Sequence, residues 1–109
     1  MFHAAVPTVD AASVPAEGAL IDVREQDEWE AGHAEGALHI PMGQVVARIA
    51  ELPDERLYVV CRVGGRSAQV VQYLVAQGLE AVNVDGGMYA WEAAGRPMVS
   101  GSGADAFVL

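Results

Sequence analysis

Short apolar runs recur along the chain: "ALIDV" over 19–23, "ALHI" over 37–40, "LYVVC" over 57–61 and "AVNV" over 81–84, with a weaker one around Val6 to Val9. Runs of this length, bounded by polar and glycine-containing stretches, predict strands. The stretches between them carry helical spacing. From Ser67 to Gln77, residues Val70, Val71, Leu74 and Val75 share one face, Gln69, Gln72 and Gln77 lie off it, and Gly78 supplies a stop. "EQDEWEAG" begins with carboxylates, which suit a helix's positive end, and finishes at Gly32. "GQVVARIAEL" runs into Pro53, which would end a helix there. "GMYAWEAAG" sets Met88 and Trp91 three apart on one face, with Gly95 as terminator.

Strand and helix therefore alternate. Near-continuous apolar strands joined by helix-length connections predict an α/β fold with a central, mostly parallel sheet of about five strands and helices on both faces, because parallel neighbours need a crossover. In such sheets ligands bind beyond the carboxyl ends of the strands. At 109 residues the chain suits one domain, assigned to residues 1–98, followed by a tail over 99–109. In that tail "SGSG" reads as flexible, while "AFVL" is left either to dock or to fray.

Composition narrows the function. Fifteen acids against six bases, all arginine, give a formal charge of −9, a surface that repels nucleic acid and anionic lipid. No stretch approaches the roughly 20 apolar residues needed to cross a bilayer. The N-terminal segment lacks a basic start and carries Asp10 and Glu17 where a secretory signal needs an apolar run, so a cytoplasmic protein is the expectation.

The single cysteine, Cys61, stands where the most apolar run breaks into "CRVGGRS". Gly64 and Gly65 can take positive φ and let the backbone curl, so that amide hydrogens between Cys61 and Ser67 converge on one point. The helix expected from about Ser67 adds its unsatisfied N–H groups there. Arg62 and Arg66 place a third of the chain's bases beside them. Such a field favours thiolate over thiol and makes Cys61 a nucleophile at neutral pH. Taken alone, a lone cysteine at a strand end packs as a small hydrophobe; two glycines and two arginines ahead of a helix start reverse that balance.

With these residues in view, the chain resembles the rhodanese superfamily. "LIDVRE", "EWEAGHAEGALHIP", "VVCRVGGRSA" and "VDGGMYAW" stand in the order and approximate spacing of a single-domain rhodanese. The resemblance implies a sulfurtransferase of the thiosulfate:cyanide type, in which Cys61 takes a sulfane sulfur from a donor such as thiosulfate, keeps it as a persulfide and passes it to cyanide or another thiol. It also implies that Arg62, Val63, Gly64, Gly65, Arg66 and Ser67 form the anion-binding loop and that no metal or organic cofactor is needed. Arg62 would guide the donor, Val63 form the rim, and Arg66 attract anion and bond loop carbonyls. Asp22 and Arg24, two apart and so on one face, suit an ion pair bracing the loop. For His33 a tethering hydrogen bond is expected, His39 reads as exposed, and Gly36, Pro41, Gly86 and Gly87 read as turn-makers. Trp29 and Trp91 are expected in the core.

Two other classes compete. A cysteine phosphatase or arsenate reductase needs its arginine six positions after the cysteine, where Ser67 stands here; the arginine comes at five. A binding module without turnover would not need the cysteine and its flanking charges. A relay passing sulfur from one protein to another uses the same residues as the enzyme.

Overall fold

The computed structural model describes residues 6–109, so the first five residues of the proposed 1–98 domain lie outside it. Strands β1 (Thr8–Asp10), β2 (Ala19–Asp22), β4 (Leu38–His39), β5 (Leu57–Val60) and β6 (Ala81–Asp85) form one sheet, ordered β1-β6-β5-β2-β4. All four neighbouring pairs are parallel. Helix α2 (Gly65–Ala76) crosses over between β5 and β6, and α1 (Gln26–Ala31) lies between β2 and β4. After β6 comes α3 (Gly87–Ala93). A separate antiparallel pair joins β3 (His33–Ala34) to β7 (Met98–Val99).

Both faces of the sheet are buried, which is why its strands read as unbroken apolar runs rather than alternating ones. Ile21, Leu57 and Val59 pack on one face against Val70, Val71 and Leu74 of α2. Leu20, Tyr58, Val60, Val82 and Val84 pack on the other against Met88 and Trp91 of α3. The period of two along each strand divides the residues between these layers.

Three expectations need correction. The segment "GQVVARIAEL" forms no regular helix; it holds two 3-10 turns, Met42–Gln44 and Ile49–Glu51, joined by turns. Gly43 and the β-branched pair Val45–Val46 weaken helix formation there, and Val46 faces solvent rather than completing an apolar stripe. On α2, Val75 is likewise exposed. That helix also begins at Gly65 rather than near Ser67, because Gly64 alone makes the turn, at φ 113°, and Gly65 already belongs to the helix.

The segment 99–109 makes contacts with the rest of the domain. Val99 pairs in β7, Gly101 N–H donates to Glu30 O (3.0 Å), and Phe107 N–H donates to Ala31 O (3.1 Å). Val108 packs against the layer beneath α3. A Cβ on Gly32 would lie 2.4 Å from the carbonyl oxygen of Phe107, so this glycine makes room for the tail's backbone as well as ending α1. Among the described residues no helix is long and apolar enough to cross a membrane.

Candidate active site

Cys61 directly follows the last residue of β5, at the edge where the carboxyl ends of β2, β4 and β6 also arrive. One side of it belongs to the apolar layer under α2, and the residue is only 1 % exposed. The other side faces polar groups. Gly64 N–H donates to Cys61 Sγ at 3.1 Å, and the Ser67 hydroxyl lies 3.2 Å from the same atom. The sulfur thus sits between hydrocarbon and hydrogen-bond donors at the N-terminus of the twelve-residue α2.

The loop owes its shape to α3. Met88 N–H donates to Cys61 O (2.8 Å) and Tyr89 N–H to Arg62 O (3.3 Å). With these carbonyls held by the first turn of α3, the loop's amides are free to face the sulfur. The contact demands glycine at 87: its φ is 57°, and a Cβ there would stand 2.4 Å from Cys61 O and 2.5 Å from Arg62 O. The GG pair of "VDGG" is therefore more than a turn; it lets one backbone lie against another.

Burial alone would push the Cys61 thiol up, as an ionised sulfur loses hydration. The Ser67 hydroxyl and the amides of Ser67, Gly64 and Val63 outweigh it, and the thiol is held below its ordinary value. Ser67 is itself completely buried and has one proton for three acceptors: Cys61 Sγ, Gly64 O (3.3 Å) and Asn83 Oδ1 (2.5 Å). Asn83 Nδ2–H donates in turn to Gly64 O (3.2 Å), tying the loop to β6. When the sulfur is ionised it is the most demanding of these acceptors.

The arginines divide. Arg66 was expected to bond loop carbonyls; instead both its terminal nitrogens meet the Glu28 carboxylate of α1, at 2.7 and 2.8 Å. The bidentate pair holds the Glu28 carboxyl down at about 2 and raises Arg66 further, both chiefly through the hydrogen bonds between them. Arg62 has no carboxylate partner among the described residues. Its guanidinium donates to Tyr89 Oη (3.2 Å from Nη2) and lies 5.3 Å from the centre of that ring. Val63 is 60 % exposed, at the rim.

Asp22 and Arg24 form a fully buried ion pair (Nη2 to Oδ2, 2.7 Å), reinforced by Arg24 Nε and backbone N–H to Asp22 Oδ1, both 3.0 Å. Arg24 Nη2 also donates to Gly32 O (2.8 Å), joining the end of β2 to the end of α1. His33 Nδ1 lies 2.7 Å from Trp29 O. His39 is not simply exposed: it is half-buried, with Nε2 2.8 Å from Arg24 O. Since a carbonyl only accepts, each of these ring nitrogens carries the proton. Trp91 lies in the core, but Trp29 is half-buried and stacks on both imidazoles, with ring centres 3.5 Å from His33 and 4.7 Å from His39.

Glu28, Asn83 and Tyr89 touch the loop's own residues from 38, 16 and 27 positions away. None of the three is among the site residues expected from the sequence. A polar residue inside the apolar run "AVNV" was a signal that could have found Asn83; Glu28 and Tyr89 carried none. A cavity of about 480 Å³ lies elsewhere, between Pro15, Gly18, Gly36, Trp91 and Pro97, and includes no residue of the cysteine loop. Its wall carries the carboxylates of Glu17 and Glu35 but no thiol, and the Arg96 guanidinium there is already bonded to the carbonyls of Ala11 and Val14.

A family model described as "Rhodanese-like domain" matches residues 9–94. YtwF of Bacillus subtilis is 46 % identical over 79 residues, 72 % of this chain and 77 % of that protein. A protein of Allochromatium vinosum named "Sulfurtransferase" is 40 % identical over 86 residues, 77 % of this chain and 80 % of its own length. Among solved structures, a rhodanese-related protein from Thermoplasma volcanium superposes with a TM-score of 0.80 at 31 % identity, over 85 % of this chain and 97 % of that one.

Proposed function

This chain belongs to the rhodanese-like domain family, and on that premise we propose that it is a sulfurtransferase in which Cys61 is nucleophile and sulfur carrier. The Cys61 thiolate attacks the sulfane sulfur of a donor; a Cys61–S bond forms, the donor's S–S bond breaks, and its remainder leaves with the electron pair. With thiosulfate, the simplest such donor, the leaving group is sulfite. An acceptor thiolate or cyanide then attacks the outer sulfur and returns Cys61 as thiolate. Electrons balance over the two steps without an external oxidant.

The single observation that carries this reading is the pair of donors, Gly64 N–H and Ser67 Oγ–H, on the Cys61 sulfur at a helix N-terminus. The amides of residues 62–66 would hold the negative charge of the persulfide, as oriented backbone donors do for other anions. Arg62, with no carboxylate partner among the described residues, would meet the donor at the mouth beside Val63. Asp22, Arg24 and His33 would brace the elements that carry the loop.

Treatment with thiosulfate is expected to raise the mass of the protein by one sulfur atom, and cyanide to remove it. Cys61→Ser should abolish the uptake while the domain still melts cooperatively. A protein whose thiol is free and whose mass stays unchanged with every sulfane donor would refute the proposal.

A further inference from the structure

Of Arg24, Arg62 and Arg66, just one has no carboxylate partner among the described residues. Arg24 lies on Asp22 and Arg66 lies on Glu28, the latter through two parallel hydrogen bonds. Among the described residues, Arg62 meets the phenol and ring face of Tyr89 and no carboxylate. A thiolate approached by thiosulfate, a dianion, would bring three negative charges together against this one free cation. A persulfide borne on a thiol, R–S–SH, brings at most one negative charge of its own.

From this balance we infer that Glu28 is a specificity-determining residue, which by holding Arg66 turns Cys61 toward thiol-borne persulfide donors and away from dianionic ones. The inference rests on the sulfur-transfer reading above. In the favoured step the Cys61 thiolate attacks the terminal sulfur of R–S–SH, the Cys61–S bond forms, the donor's S–S bond breaks and R–S⁻ departs with the electron pair. The donor's own proton stays on the transferred sulfur or passes to R–S⁻, so charge and atoms balance.

Glu28 is well placed for this role because it belongs to α1, not to the loop, and its side chain is 13 % exposed. It also closes a capping box: Glu25 N–H donates to Glu28 Oε1 at 2.9 Å, and the Glu25 side chain accepts from the Glu28 amide. Glutamine serves the same cap, so Glu28→Gln removes the charge while keeping the helix start. Arg66 is then available to an entering anion.

The test measures kcat/KM for thiosulfate and for the persulfide of 2-mercaptoethanol, a donor that carries no carboxylate, with the same acceptor. In the unaltered protein the persulfide is expected to exceed thiosulfate by well over an order of magnitude. Glu28→Gln should raise thiosulfate use relative to persulfide use about tenfold, chiefly through KM. Adding Arg66→Gln to that variant should remove the gain. A preference for thiosulfate in the unaltered protein overturns the inference without any variant, and so does a ratio unmoved by Glu28→Gln. If neither donor loads sulfur onto Cys61, the sulfur-transfer reading itself fails; if both load it and the ratio does not move, only the role of Glu28 does.

Discussion

The Ser67 hydroxyl lies 3.2 Å from the Cys61 sulfur, inside the protein, where burial costs a thiolate most of its hydration. Among the groups that lower the cysteine, this hydroxyl stands ahead of the amides. Ser67→Ala removes one donor to the charged sulfur and leaves Gly64 N–H in place. Alkylation of Cys61 by iodoacetamide at neutral pH is expected to slow roughly tenfold, in keeping with a hydrogen bond to a charged group. The pH profile of the reaction should move upward. An unchanged profile would show that the backbone suffices.

Asp22 and Arg24 are both completely buried and bonded to each other. Removing one partner leaves the other charge uncompensated, at a cost of about 3–5 kcal/mol. Arg24→Met should therefore lower the denaturant midpoint far more than exposed-pair substitutions such as Arg48→Met, since the Arg48–Glu51 pair is solvent-screened. Equal losses from the two would contradict a bracing role for the buried pair.

Gly87 combines a φ of 57° with backbone oxygens of Cys61 and Arg62 within 2.5 Å of any added Cβ. The φ alone penalises an L side chain by about 1–3 kcal/mol, and the collision forces α3 away from the loop. Gly87→Ala is expected to lower both stability and sulfur loading. Gly36→Ala is the contrast, as its φ is also positive but nothing lies near the added carbon; it should lose stability and keep loading.

The Glu28 carboxyl is held at about 2 against an ordinary 4.5. A carboxylate depressed on folding contributes stability that is fully present above its unfolded value and disappears as pH falls through its folded one. The melting-temperature gap between the unaltered protein and Glu28→Gln should hence be constant above pH 4.5 and close between 4.5 and about 2. A gap that persists at pH 2 would mean the two side chains differ for reasons other than charge.

Much of this protein could be read locally. A strand or helix is chosen by residues within a few positions, so the parallel sheet, the glycine turn after Cys61 and the helix behind it followed from patterning. The segment before Pro53 misled because its apolar spacing is helical while Val46 has no layer to enter. Arg66 misled because its partner, Glu28, is 38 residues away.

The chain's linear order alone determined the alternation of elements, the place of Cys61 at a strand's end and the donors packed into "CRVGGRS". Only the folded arrangement decided which charges cancel. That depends on α1, β6 and α3 bringing Glu28, Asn83 and Tyr89 to one edge of the sheet. Coulombic and hydrogen-bond partners act over a few ångströms of space, and separation along the chain does not encode that distance.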